Sequence, residues 1–181
     1  MSMSNKKVPL QAFRVEGNGL LNALITRVVI IPDLNLSQTR LNDILSNPEK
    51  SGYLFTALWD TGATRSCIKP SIATKLGINK NIISFANVTG VNSKTQQKPI
   101  YKAGAFILPN KVIIPDFHFI ESEIASTADI LIGMDLILNG DFSISNYNGK
   151  TVFCFSMPPH EKRIDLVERG EKVNGRIKKG K

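Results

Sequence analysis

Short apolar runs, each stopped by turn-forming residues, decide what this chain can fold into. Leu20–Ile31 is rich in Leu, Ile and Val and ends at Pro32, and Tyr53–Trp59 is apolar and aromatic and stops at Asp60-Thr61-Gly62. Ile82–Val88, Pro99–Leu108, Val112–Ile120, Ile130–Ile132, Asp141–Asn146 and Thr151–Phe155 follow in the same style. Runs of this length bounded by Gly, Pro, Asn and Asp read as strands. Pro109-Asn110 joins one pair of them. Asn148-Gly149 joins the last two and is the best two-residue hairpin signal in the chain. Within Val112–Ile120, Phe117 and Phe119 fall on one face and His118 on the other. Helical signals are few. Ser37 can cap a short helix carrying Leu41, Ile44 and Leu45. Pro70–Leu76 has proline in its first turn and Gly77 at its carboxy-terminal cap. The expectation is an all-β domain over residues 8–158 with one or two short helices. Residues 1–7 and the basic segment 159–181 read as flexible termini.

Composition narrows the function classes. Apolar residues make up 42% of the 181, enough for a packed core. Two cysteines, Cys67 and Cys154, make no disulfide scaffold and no zinc tetrad. His118 and His160 lie far from any cysteine pair, so no metal site or cofactor is expected. The most apolar run, Leu20–Ile31, is interrupted by Asn22 and Arg27 and is too short to cross a bilayer. The amino terminus has no signal-peptide core, and the expected location is cytoplasmic. The net charge of +8 raises nucleic acid as a partner. Half of that excess sits in the last 22 residues, where eight Lys/Arg are interleaved with four Asp/Glu. Without aromatic platforms, that pattern favours a solvated tail over nucleic-acid binding.

The candidate chemistry lies in Ala57-Leu58-Trp59-Asp60-Thr61-Gly62-Ala63-Thr64. An apolar strand delivers an acid into a tight turn followed by small residues. Gly62 gives the turn its freedom, and the Thr61 hydroxyl can donate or accept beside the carboxylate. By itself this is also what an ordinary Asp-x-Gly turn looks like. A second element joins it: Ala128-Asp129-Ile130-Leu131-Ile132-Gly133-Met134-Asp135-Leu136, three apolar residues before a glycine and then a short helical run. Asp129, Asp135 and Asp141 are not read as a metal cluster: Asp135 reads as capping or orienting a helix and Asp141 as opening a hairpin. Trp59, pointing away from Asp60 on its strand, reads as core or interface. Cys67 and Cys154 read as packing residues, with no histidine nearby in sequence to activate Cys67.

Taken in order, Asp-Thr-Gly-Ala-Thr and, some seventy residues on, Ile-Leu-Ile-Gly-Met-Asp resemble the retropepsin-like aspartic proteases, single-lobe relatives of pepsin. The likeness is closer to bacterial and phage members than to retroviral ones and covers residues 20–157. It implies a closed β-barrel or sandwich lobe that pairs as a two-fold homodimer. Each chain offers one acid, Asp60, so the second must come from another copy. Two like charges about 3 Å apart cannot both ionise, so such a pair shares a proton. The resemblance assigns Asp60, Thr61 and Gly62 to catalysis, with Thr61 bracing the two loops across the axis and Gly62 contacting the acid through its amide. It places Ala63 on the cleft floor, and Ile132 and Gly133 beneath the loop. It gives Thr89, Gly90, Val91 and Asn92 to a flap that closes over an extended peptide.

The chain also departs from the retroviral pattern. Thr64-Arg65 stands where acids are common, and Met134-Asp135 where arginine commonly begins the pair. The implied ion-pair network at the dimer edge is therefore different or reduced, with Arg65–Asp135 as one replacement. The long connection from Asp33 to Gly52 has the reach to cover a side of the cleft or join the dimer. Three readings follow: an active endopeptidase on peptide or protein substrates, a catalytically silent peptide-binding module, and a basic nucleic-acid-associated factor. The intact Asp-Thr-Gly favours the first.

Overall fold

Strand closure organises the molecule. The structure is a computed structural model that describes residues 9–32, 36–89, 95–160, 162 and 164–179, with the side chains of 176–179 excepted. In chain order the strands are β1 (Gln11–Glu16), β2 (Leu24–Ile31), β3 (Leu54–Trp59), β4 (Cys67–Ile68), β5 (Ile82–Val88), β6 (Gln96–Ile107), β7 (Val112–Glu121), β8 (Ile130–Ile132), β9 (Asp141–Ser145) and β10 (Val152–Met157). The helices are α1 (Gln38–Ser46), α2 (Pro48–Ser51), α3 (Pro70–Leu76), α4 (Met134–Ile137) and α5 (Leu166–Lys179). The larger sheet runs β2-β3-β8-β4-β7-β6-β5, and β2 also pairs with β6. That pairing closes six strands into a barrel and leaves β5 outside it. A second sheet, β1-β10-β9, packs alongside.

The apolar runs explain why the barrel closes where it does. Val28, Val29, Ile30 and Ile31 are all buried, on both faces of β2. Val28 and Ile30 join the main core with Phe55, Ala57, Ile68, Ala103, Ala105, Phe119, Ile130 and Ile132. Val29 and Ile31 point outward and are covered by Ile44 of α1, with Phe106 of β6 beside them. A strand covered on both faces carries a continuous apolar run rather than an alternating one. Helix α1 and its flanks therefore cover the outer barrel wall at β2 and β6. Ser37 caps α1, its hydroxyl accepting the Arg40 N–H at 3.3 Å.

Aromatic packing joins the second sheet to the barrel. Trp59 is buried at the end of β3, stacked on Phe142 at 5.6 Å and tilted against Phe155 at 5.0 Å and Phe13 at 5.5 Å. Its indole N–H donates to Thr26 Oγ1 at 3.0 Å. As the sequence suggested, it is a core residue. Phe117 and Phe119 are buried and touch at 4.3 Å, and His118 is exposed on the opposite face.

Several expectations need adjustment. The first long strand starts at Leu24, because Gly17, Gly19 and Leu21 are tied by hydrogen bonds to Thr151. Asn148 and Gly149 do take positive φ, at 52° and 69°, but the β9–β10 loop spans residues 146–151 rather than two residues. Thr151 is a buried loop anchor and not part of β10. The segment after Pro159 contains α5, whose described side chains are all exposed.

Phe153 is fully buried among Phe13, Trp59 and Phe142. Phe153→Ala is expected to cost about 3–5 kcal/mol of stability. Urea unfolding followed by fluorescence of Trp59, the single tryptophan, would measure it.

Candidate functional site

The site is built where β3 runs out. Strands β3 and β8 are parallel neighbours, with Trp59 opposite Ile132. The ladder continues one step further, the Asp60 N–H donating to the Ile132 carbonyl at 2.9 Å. Asp60 is thus fixed at the backbone by the barrel itself. The chain then turns, the Ala63 N–H reaching back to the Asp60 carbonyl at 3.2 Å. The Gly62 N–H donates to Asp60 Oδ1 at 2.8 Å, which orients the carboxylate. Asp60 is half-buried, while Thr61 and Gly62 are exposed at the tip of the turn.

The segment after β8 passes under this loop and holds it from below. The Met134 N–H donates to the Ala63 carbonyl at 2.8 Å, and the Asp135 N–H to the Thr64 carbonyl at 3.2 Å. Gly133 lies so close to the loop that a Cβ there would stand 2.6 Å from the Arg65 carbonyl carbon and 2.9 Å from the Ala63 oxygen. No side chain fits, which is the physical reason for glycine after the apolar triplet.

Ser66, which the sequence reading passed over, completes the support. It is fully buried. Its hydroxyl donates to Asp135 Oδ1 at 2.6 Å and accepts the Gly133 N–H at 3.1 Å. Its own N–H is shared between both Asp135 oxygens, at 3.0 and 2.9 Å. Asp135 Oδ1 also accepts the Leu136 N–H at 3.0 Å, capping α4. Asp135 is therefore spent on Ser66 and on its helix, and the expected Arg65–Asp135 ion pair does not form. The other carboxylates near this motif are structural too. Asp129 accepts the Thr56 N–H and hydroxyl at 2.9 and 3.0 Å, and Asp141 accepts the His160 N–H at 2.7 Å. No cluster fit to hold a metal occurs among the described residues.

A cleft of about 690 Å³ opens above the loop. Asp60, Gly62, Ala63, Thr64, Arg65 and Cys67 line it from below. Ala86, Asn87, Val88 and Thr89, from the end of the β5–β6 hairpin, line it from the other side, with Ile120 of β7. Thr89 shares a hydrogen bond with Thr95 across the hairpin at 2.8 Å. Gly90, Val91 and Asn92, the other expected flap residues, lie outside the described residues. Burial, with the carboxylates of Asp135 and Asp60 adding to it, pushes the Cys67 thiol up to about 11. That makes it a poor nucleophile at neutral pH.

A closed barrel carrying one aspartate on a loop threaded by an apolar-apolar-Gly segment is the framework of a single-lobe aspartic protease. A family model described as "gag-polyprotein putative aspartyl protease" matches residues 49–139, half of the chain. The chain belongs to this family of retropepsin-like aspartic proteases. Among solved structures it is similar to a retropepsin-like aspartic protease from Rickettsia conorii, at 10% identity and a TM-score of 0.49, over 82% of this chain and 96% of that one. It is also similar to the retroviral protease-like domain of Ddi1 from Leishmania major, at 18% identity and a TM-score of 0.44, over 74% of this chain and 95% of that one. No curated protein matches the sequence.

Ser66→Ala removes the hydroxyl bond to Asp135 Oδ1 and leaves the buried Gly133 N–H without its acceptor, and is expected to cost about 1–3 kcal/mol in chemical denaturation. The Cys67 thiol gives a pH-dependent check. Its value rises from 9.0 to about 11 on folding, so the native state keeps this proton longer and loses stability as pH climbs through that window. In a Cys154→Ser background, iodoacetamide at pH 8 should modify the native thiol about a hundredfold more slowly than the urea-unfolded one.

Proposed function

We propose that the protein is an aspartic endopeptidase that works as a two-fold homodimer, with Asp60 of each protomer meeting at the axis. The observation that carries this reading is the fixing of Asp60 on the cleft floor, backbone to Ile132 and carboxylate to the Gly62 amide. On this mechanism the two carboxyls share one proton. The ionised one takes a proton from water, whose oxygen attacks the scissile carbonyl carbon. The protonated one donates to the carbonyl oxygen as it becomes a hydroxyl. Collapse of that intermediate breaks the C–N bond, with a proton passing to the leaving amine.

The neighbouring residues take supporting roles. Thr61, exposed beside the acid, braces the loop against its counterpart in the second protomer. Ala63 and Thr89 border an extended substrate segment. Residues 8–158 form the catalytic lobe, and 159–181 form a basic appendage. Two free thiols suit a reducing compartment such as the cytoplasm. No described helix is long and apolar enough to cross a membrane.

The test is cleavage of a mixed peptide library across pH 4 to 7, read by mass spectrometry, with sedimentation equilibrium on the same samples. Asp60→Asn should reduce cleavage at least about a thousandfold while leaving the circular dichroism spectrum unchanged. Cleavage that survives Asp60→Asn would sink the proposal, as would a fully active monomer.

A further inference from the structure

Arg65 brings a positive charge to a largely apolar cleft. It lines the cleft beside Cys67, Ala86, Val88 and Ile120, and it is the one Lys or Arg among the described lining residues. Its backbone is immobilised, because its carbonyl occupies the space a Gly133 side chain would need. Its side chain is exposed. On its far side a smaller hollow of about 320 Å³ contains two acids, Asp116 and Asp135. Both already have other partners. Asp116 takes Lys102 Nζ on one oxygen at 3.1 Å and His118 Nε2 on the other at 2.9 Å. Asp135 is filled by Ser66 and the Leu136 amide. Among the described residues no carboxylate forms an ion pair with Arg65. Its guanidinium therefore presents its forked donors without a carboxylate acceptor of its own, a geometry that matches a carboxylate.

We infer that, granted the peptidase reading above, Arg65 determines specificity by selecting peptides with an acidic side chain close to the scissile bond. A two-fold dimer supplies one Arg65 from each protomer. Acidic residues are then favoured on either side of the cleavage point, with small or apolar residues against the Ala86, Val88 and Ile120 wall. Arg65 is exposed, so the interaction is screened by salt and moderate in size.

Matched peptides that differ only by Glu, Gln or Lys at each position around a cleavage point test this. Wild type should show a kcat/KM about fivefold higher for Glu than for Gln at one position on each side of the bond. The preference should narrow as salt rises, disappear in Arg65→Gln and turn toward Lys in Arg65→Glu. Equal cleavage of the Glu and Gln peptides by wild type overturns it, as does a Glu preference that persists in Arg65→Glu. Binding of the same peptides to Asp60→Asn, and to that variant carrying Arg65→Glu, separates the two ideas. Arg65-dependent preference for Glu in binding, with no cleavage by wild type, keeps the cationic subsite and removes the peptidase. Cleavage with no such preference removes the subsite alone. Neither cleavage nor Arg65-dependent binding removes both.

Discussion

The position of the acid rests on one close approach, the passage of Gly133 beneath the 60–66 loop. A loop carrying a functional carboxylate has few contacts of its own, and here its tip is exposed. Rigidity has to come from below. Backbone hydrogen bonds at Asp60, Ala63 and Thr64 tie the loop to the β8–α4 junction at three points. Those bonds are short enough only because residue 133 has no side chain. The same approach brings the Gly133 N–H to the Ser66 hydroxyl, which in turn engages Asp135. A backbone constraint thus fixes the polar network, and the network fixes the start of β4.

This arrangement decides how charge is distributed around the cleft. Ser66 is buried, and an unpaired hydroxyl there would be costly. Asp135 satisfies it and is satisfied by it, without a cation. A serine–carboxylate pair capped by a helix amide avoids the desolvation of a guanidinium that an Arg–Asp pair would demand at the same spot. The consequence appears on the neighbouring residue, whose guanidinium is left facing outward. Arg65 and Asp135 do not form the ion pair the sequence suggested, because Asp135 is committed to Ser66 and the start of α4.

Much of the barrel was legible because its signals are local. The Gly77 cap, the Ser37 cap and the alternation of Phe117, His118 and Phe119 each follow from a few adjacent residues. What was missed depends on distant partners. Strand β4 is two residues long and exists only because Cys67 and Ile68 fit between β7 and β8. Strand β1 has only Phe13 and Val15 pointing inward, and the β10 aromatics supply the rest of its packing. Leu20–Ala23 is as apolar as a strand but is held as a connection by Thr151, 130 residues beyond Leu21. In the site, Asp60 and Gly133 stood out as motifs. Ser66 carried no signal, since a lone serine acquires its role only when Gly133 and Asp135 are folded against it.

The proposed chemistry makes assembly part of catalysis. A single carboxyl can accept a proton from water or donate one to a carbonyl oxygen, but it cannot do both in one step. The lobe supplies one such group and holds it on the floor of its cleft, with Thr61 and Gly62 exposed beside it. All the rigidity described above is spent on presenting that group outward, and none of it on giving the acid a partner within the chain. Carboxylates elsewhere in the motif, at Asp129 and Asp135, are locked into hydrogen bonds with Thr56 and Ser66 and are unable to serve. On this reading the fold builds half of a reaction centre and leaves proton sharing to a second copy. Catalysis on that reading follows dimer concentration, and the isolated lobe is silent.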